Sequence, residues 1–166
     1  MVVANTLFAD GAAAVVGVPV QNGEDPGWSV QAQGTFLMPM SQDAMSWRIG
    51  DHGFRMTLSA EVPELIRTNL GGWLTDWLED QGLSANQVAS WAVHPGGPRI
   101  LEAVEDVLSL EDGALDVSWD IFRSHGNMSS PTVLFVLERL RKANAPLPCV
   151  ALAFGPGLVV EAMLLV

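Results

Sequence analysis

The chain has 166 residues, 49% of them apolar, and its 19 acidic side chains against 8 basic ones give a net charge of −11. That length suits one domain burying about 70% of its unfolded surface, and no apolar run reaches the roughly 18 residues a membrane helix needs. The negative field repels nucleic acid and anionic membrane alike, since both are bound through clustered cations, and it disfavours anionic substrates unless a few arginines stand at the entry.

The mean hydropathy of +0.27 is high for a soluble monomer and points to a buried partner surface. Residues 1–6 lack the basic region of a signal peptide. Cys149 is the single cysteine, so no intrachain disulfide can form and a reducing cytoplasm is the expected setting.

In chain order, residues 7–17 are apolar and rich in small side chains, which predicts a buried strand with close backbone approach. A buried strand so near the first residue needs a neighbour, which is odd for a complete domain. Residues 19–27, with Pro19, Asn22, Gly23, Pro26 and Gly27, form a turn-rich break. Strands are predicted over 28–38, 45–49 and 53–59, the last two joined by a hairpin turn at Asp51-His52-Gly53.

From 62 to 81 the period changes to that of a helix. Ile66, Leu70, Trp73, Leu74, Trp77 and Leu78 recur at spacings of three and four, Pro63 suits the first turn, and Gly82 ends it. A connector over 84–87 leads to a strand over 88–93 and then to His94-Pro95-Gly96-Gly97-Pro98. Ile100, Leu101, Val104, Val107 and Leu108 mark a second amphipathic helix. Val133, Leu134, Leu137 and Leu140 mark a third, with Arg139, Arg141 and Lys142 where cations suit its C-terminal dipole. Residues 143–148 link to two core strands, 149–154 and 158–166, around Gly155-Pro156-Gly157. The class is therefore α/β with a mixed sheet and helices packed on it.

A histidine at the end of a strand, before a turn that opens a helix, stands where α/β proteins bind ligands. In His94-Pro95-Gly96-Gly97-Pro98 the glycines let backbone crowd a ligand and Pro98 presets the first helical turn. His94 is either an inert, hydrogen-bonded strand cap or a group that takes a proton or stabilises an oxyanion. Asn127, in Gly126-Asn127-Met128-Ser129-Ser130, is either a helix N-cap or an amide donor aimed at an oxyanion beside His94. Cys149 lies in an apolar strand with no cation to lower its pKa, which favours a core thiol over the nucleophile of a Cys-His-Asn hydrolase. His52 and His125 sit beside glycines in turns, and with His94 they show no metal-ligand spacing. No phosphate-binding glycine pattern occurs.

The blocks His94-Pro95-Gly96-Gly97-Pro98, Gly126-Asn127-Met128-Ser129-Ser130 and Phe154-Gly155-Pro156-Gly157, with Leu7-Phe8-Ala9-Asp10-Gly11-Ala12-Ala13-Ala14, resemble the type III polyketide synthases, the chalcone synthase-like enzymes. Their order and spacing match over nearly the whole chain. The resemblance implies the C-terminal half of a thiolase fold, which occurs in homodimers of two-halved subunits. Residues 1–22 then correspond to the last strand region of an N-terminal half, and residues 23–166 to the C-terminal domain.

It further implies decarboxylative Claisen condensation of a starter acyl-CoA with malonyl-CoA, with CoA thioesters as substrates and no cofactor or metal. His94 and Asn127 match the catalytic pair that polarises the thioester and stabilises the enolate. The nucleophilic cysteine belongs to the N-terminal half, so Cys149 does not match it and the chain is expected to be inactive unaided. That half, on a separate chain or as the missing part of the same enzyme, is the expected partner.

The same resemblance makes Gly96, Gly97, Pro98, Phe154, Gly155, Pro156 and Gly157 substrate-binding. Trp47 stands where plant enzymes carry glycine and is expected to narrow the elongation cavity. Met56 stands at the place of a gatekeeping phenylalanine, and Arg99 near the mouth of the pantetheine tunnel. The competing reading is a non-catalytic thiolase-like assembly partner or pseudoenzyme.

Overall fold

The computed structural model describes residues 6–19 and 27–166. Three strands come first, β1 (Val30–Leu37), β2 (Met45–Gly50) and β3 (Gly53–Leu58), followed by helix α1 (Val62–Asp80). After a short 3-10 turn come β4 (Ser90–Val93), α2 (Pro98–Leu108), α3 (Asp116–His125), α4 (Pro131–Lys142), β5 (Cys149–Gly155) and β6 (Val159–Leu165).

The main sheet runs β1-β6-β5-β4, with β1/β6 and β5/β6 antiparallel and β4/β5 parallel. The parallel pair needs a long crossover, and α2, α3 and α4 supply it. Side chains alternate across a strand, so the two faces collect different helices. Trp91, Val93, Val150, Leu152, Val160, Ala162 and Leu164 pack with Ile66, Leu70, Leu74 and Leu78 of α1 and Leu101 and Val104 of α2. Ala92, Cys149 and Ala151 face the other way, onto Ile121 of α3 and Val136 and Leu140 of α4. The mixed sheet with helices on it is the architecture the sequence pattern predicts.

Two expectations fail. Residues 7–17 form no buried strand: beyond a single parallel bridge between Phe8 and Asn127, residues 9–19 are exposed and carry no regular structure. An apolar run becomes a buried strand only where a sheet edge accepts it, and among the described residues neither edge strand, β1 or β4, pairs with it. Helix α3 was not expected; it buries only Ser118 and Ile121 and, unlike α1, α2 and α4, has no proline in its first turn to mark its start. The turn-rich break over 19–27 and the domain boundary at 22/23 lie almost wholly outside the described residues.

Candidate active site

Strand β4 ends at Val93, and His94 continues its alignment by donating its backbone N–H to the Leu152 carbonyl at 2.8 Å. The side chain is 8% exposed. Burial disfavours the imidazolium and lowers the His94 pKa to about 4, so the ring is neutral at pH 7. The chain then turns, with the Gly96 N–H donating to the His94 carbonyl at 2.9 Å, and α2 begins at Pro98.

Asn127 follows the α3 cap Gly126, whose φ of +73° is a left-handed conformation glycine adopts freely. Its side chain is 5% exposed and fixed at both ends. The Asn127 Nδ2–H donates to the Gly96 carbonyl at 3.0 Å, and Oδ1 accepts the Ser129 N–H at 2.8 Å. One amide hydrogen is thereby left for a ligand. Behind the side chain, the Asn127 N–H donates to the Leu7 carbonyl at 2.9 Å and its carbonyl accepts the Ala9 N–H at 2.8 Å. The N-cap reading of Asn127 gives way here, because Ser130 holds that position on α4.

His94 and Asn127 line one cavity of about 520 Å³. Trp47 and Met56, directly opposed on the β2–β3 hairpin, form one wall, while Phe154, Gly155 and Pro156 form another and Gly96 lies between the two catalytic candidates. A neutral imidazole and a fixed amide at one apolar cavity are the donor set that suits an oxyanion, because a dry site strengthens each hydrogen bond to developing charge.

Four residues expected at the substrate do not line this cavity. Gly97, Pro98 and Arg99 do not line this cavity; Gly97 is buried at the helix start and Arg99, on the outer side of the first turn of α2, is exposed. Gly157 lines a second cavity of about 380 Å³ with Leu37, Met38, Pro39, Met40 and Gln42. Cys149 does not line this cavity, is fully buried, and has its thiol pKa raised by burial against weaker opposing hydrogen bonds from Ser90 and Ala92. His52 is exposed in the hairpin turn. His125 is exposed at the end of α3, its Nδ1 2.8 Å from the Ser124 hydroxyl.

Sequence reasoning missed Phe8, Ser129, Ser130, Val133 and Glu161 in the cavity lining. Glu161 had a readable signal as the only charge in the apolar run 158–166. Its carboxylate accepts the Thr35 hydroxyl at 2.7 Å. Among the described residues no three of His, Cys, Asp and Glu group to hold a metal, and no helix is long and apolar enough to cross a membrane.

The mixed sheet with helices packed on it is a thiolase-like fold. The fold superposes on the crystal structure of PKS-I from the brown alga Ectocarpus siliculosus with a TM-score of 0.84 and 30% identity, covering 88% of this chain and 41% of that one. The chain belongs to the chalcone and stilbene synthases, whose C-terminal domain matches residues 29–166. It is 45% identical over 168 residues to the 1,3,6,8-tetrahydroxynaphthalene synthase of Streptomyces peucetius subsp. caesius, covering 98% of this chain and 45% of that protein. It is 36% identical over 171 residues to the alpha-pyrone synthesis polyketide synthase-like Pks18 of Mycobacterium tuberculosis, covering 98% of this chain and 43% of that protein. Both are type III polyketide synthases, and the chain spans a little under half the length of each.

Proposed function

We propose that this chain supplies the His94–Asn127 half of an acyltransferase that condenses a starter acyl-CoA with malonyl-CoA. The observation that carries the reading is the pair itself: two buried neutral donors on one cavity, linked through Gly96. Cys149 is the only cysteine in the sequence and is held away from that cavity, so the nucleophile is a cysteine of an N-terminal half.

In this scheme the partner's cysteine thiolate attacks the starter thioester, CoA leaves as its thiolate, and the acyl group rests on the enzyme. Malonyl-CoA then loses CO2. The electron pair of the broken carbon–carbon bond enters the thioester carbonyl, and the N–H groups of His94 and Asn127 hold the resulting enolate oxygen. The enolate carbon attacks the enzyme-bound acyl carbon, and the cysteine thiolate departs. Electrons balance without a redox cofactor or metal.

Val15, Val16 and Val18 are 73%, 89% and 77% exposed, which supports a protein surface covering that segment. The covering partner is the N-terminal half, in a homodimer of complete subunits, and the buried free thiol suits a reducing cytoplasm. The test is malonyl-CoA decarboxylation by the chain alone and mixed with a cysteine-bearing N-terminal half. Activity only in the mixture is expected. Activity from the chain unaided contradicts the proposal, and an inactive, well-folded mixture favours the non-catalytic assembly partner.

A further inference from the structure

Buried hydroxyls are held by partners, so the partners of one show what it is for. Ser41, in the connection between β1 and β2, is 2% exposed and far from His94 and Asn127 in sequence. Its hydroxyl accepts the Leu158 N–H at 2.6 Å and lies 2.9 Å from the Gly157 carbonyl and 2.7 Å from the Met38 carbonyl, to one of which it donates. Met38 adds a backbone bond, its N–H donating to the Leu158 carbonyl at 2.9 Å. One small side chain thus ties the Pro156–Leu158 loop to a segment 116 residues away.

Pro156 and Gly157 put that loop in the wall of both cavities. Phe154, Gly155 and Pro156 face the catalytic cavity of about 520 Å³, whereas Gly157 faces the second cavity of about 380 Å³ beside Leu37 and Met40. Resting on the reading above, we infer that Ser41 is a positioning residue that fixes this wall and so limits how long a chain the catalytic cavity accepts. Each condensation lengthens the tethered product by two carbons, and extension stops when the wall leaves no room. Removing the hydroxyl leaves the Leu158 N–H and a carbonyl unpaired in a dry site, a state relieved by moving the loop. The moved wall opens the first cavity toward the second.

The experiment uses the active complex of this chain with the cysteine-bearing half, supplied with a starter acyl-CoA and malonyl-CoA, and resolves products by length. Ser41→Ala is expected to raise the ratio of longer to shorter products at least fivefold. It should also speed hydrogen exchange at the Leu158 amide at least tenfold, and keep malonyl-CoA decarboxylation within twofold. Ser41→Thr, which keeps the hydroxyl, is expected to restore the product ratio. Should Ser41→Ala not fold, Ser41→Cys keeps the shape with a weaker hydrogen bond and is expected to shift the ratio in the same direction. An unchanged ratio in a folded Ala or Cys variant overturns the inference while leaving the proposed activity standing. A wild-type complex that makes no product overturns both.

Discussion

Asn127→Asp changes one nitrogen to oxygen and tests the site's hydrogen-bond assignment directly. In the native chain Nδ2–H donates to Gly96 while Oδ1 accepts from Ser129, at 3.0 and 2.8 Å. An ionised aspartate keeps the second bond but sets a charged oxygen against the Gly96 carbonyl, at a position 5% exposed. Stranding a buried charge costs about 3 kcal/mol, and the nearby start of α4 returns at most about 1 kcal/mol, so a net loss of about 2 kcal/mol is expected at pH 8.

Burial raises the folded-state pKa of the new carboxyl above its unfolded value near 3.9. The protonated acid donates to Gly96 as the amide does, so the loss is absent below about pH 4 and grows as pH rises through the folded pKa. Urea unfolding of variant and wild type across this range reads the difference, in which the contribution of His94 cancels. A gap of the same size at pH 4 and pH 8 refutes the assigned donor and acceptor.

His94 gives a second pH signature. Its pKa falls from 6.5 unfolded to about 4 folded, so stability is undiminished above 6.5 and declines as pH falls toward 4, by about 3 kcal/mol in all. Ring resonances titrating near 6.5 contradict this, and a thiolate brought against the ring by the N-terminal half should raise the value. Native Cys149 should react with iodoacetamide more slowly than a free thiol; faster reaction revives a self-sufficient cysteine enzyme. Gly34→Ala would place a Cβ 2.6 Å from Trp77 Nε1, beside the stacked Trp73 and Phe36. The overlap should cost about 1–3 kcal/mol, and an unchanged urea midpoint contradicts it.

Periodicity made most of this fold readable. The apolar stripe of α1 and the turn at Asp51-His52-Gly53 are local signals, and the elements they predict are present. Helix α3 escaped because it buries only two residues and, unlike the other three helices, has no proline to mark its first turn. Residues 7–17 misled because small apolar residues read as a buried strand, whereas burial requires a neighbour that only tertiary structure supplies.

The site divides the same way. His94 and Asn127 stand at element ends and line one cavity, while Gly97, Pro98 and Arg99, expected at the substrate from the resemblance, lie off that cavity at the start of α2. Ser41 gave no signal, since its role exists only once β1 and β6 lie side by side.

The central claim, that His94 and Asn127 together hold one enolate oxygen, is tested by malonyl-CoA decarboxylation in the complex with the cysteine-bearing half. Removing a single oxyanion donor costs about 10²–10³ in rate, so His94→Ala and Asn127→Ala should each fall by that factor. The double substitution should lose less than the product of the two, because groups that act as a unit are not additive. Folded variants that decarboxylate at the wild-type rate would contradict the account.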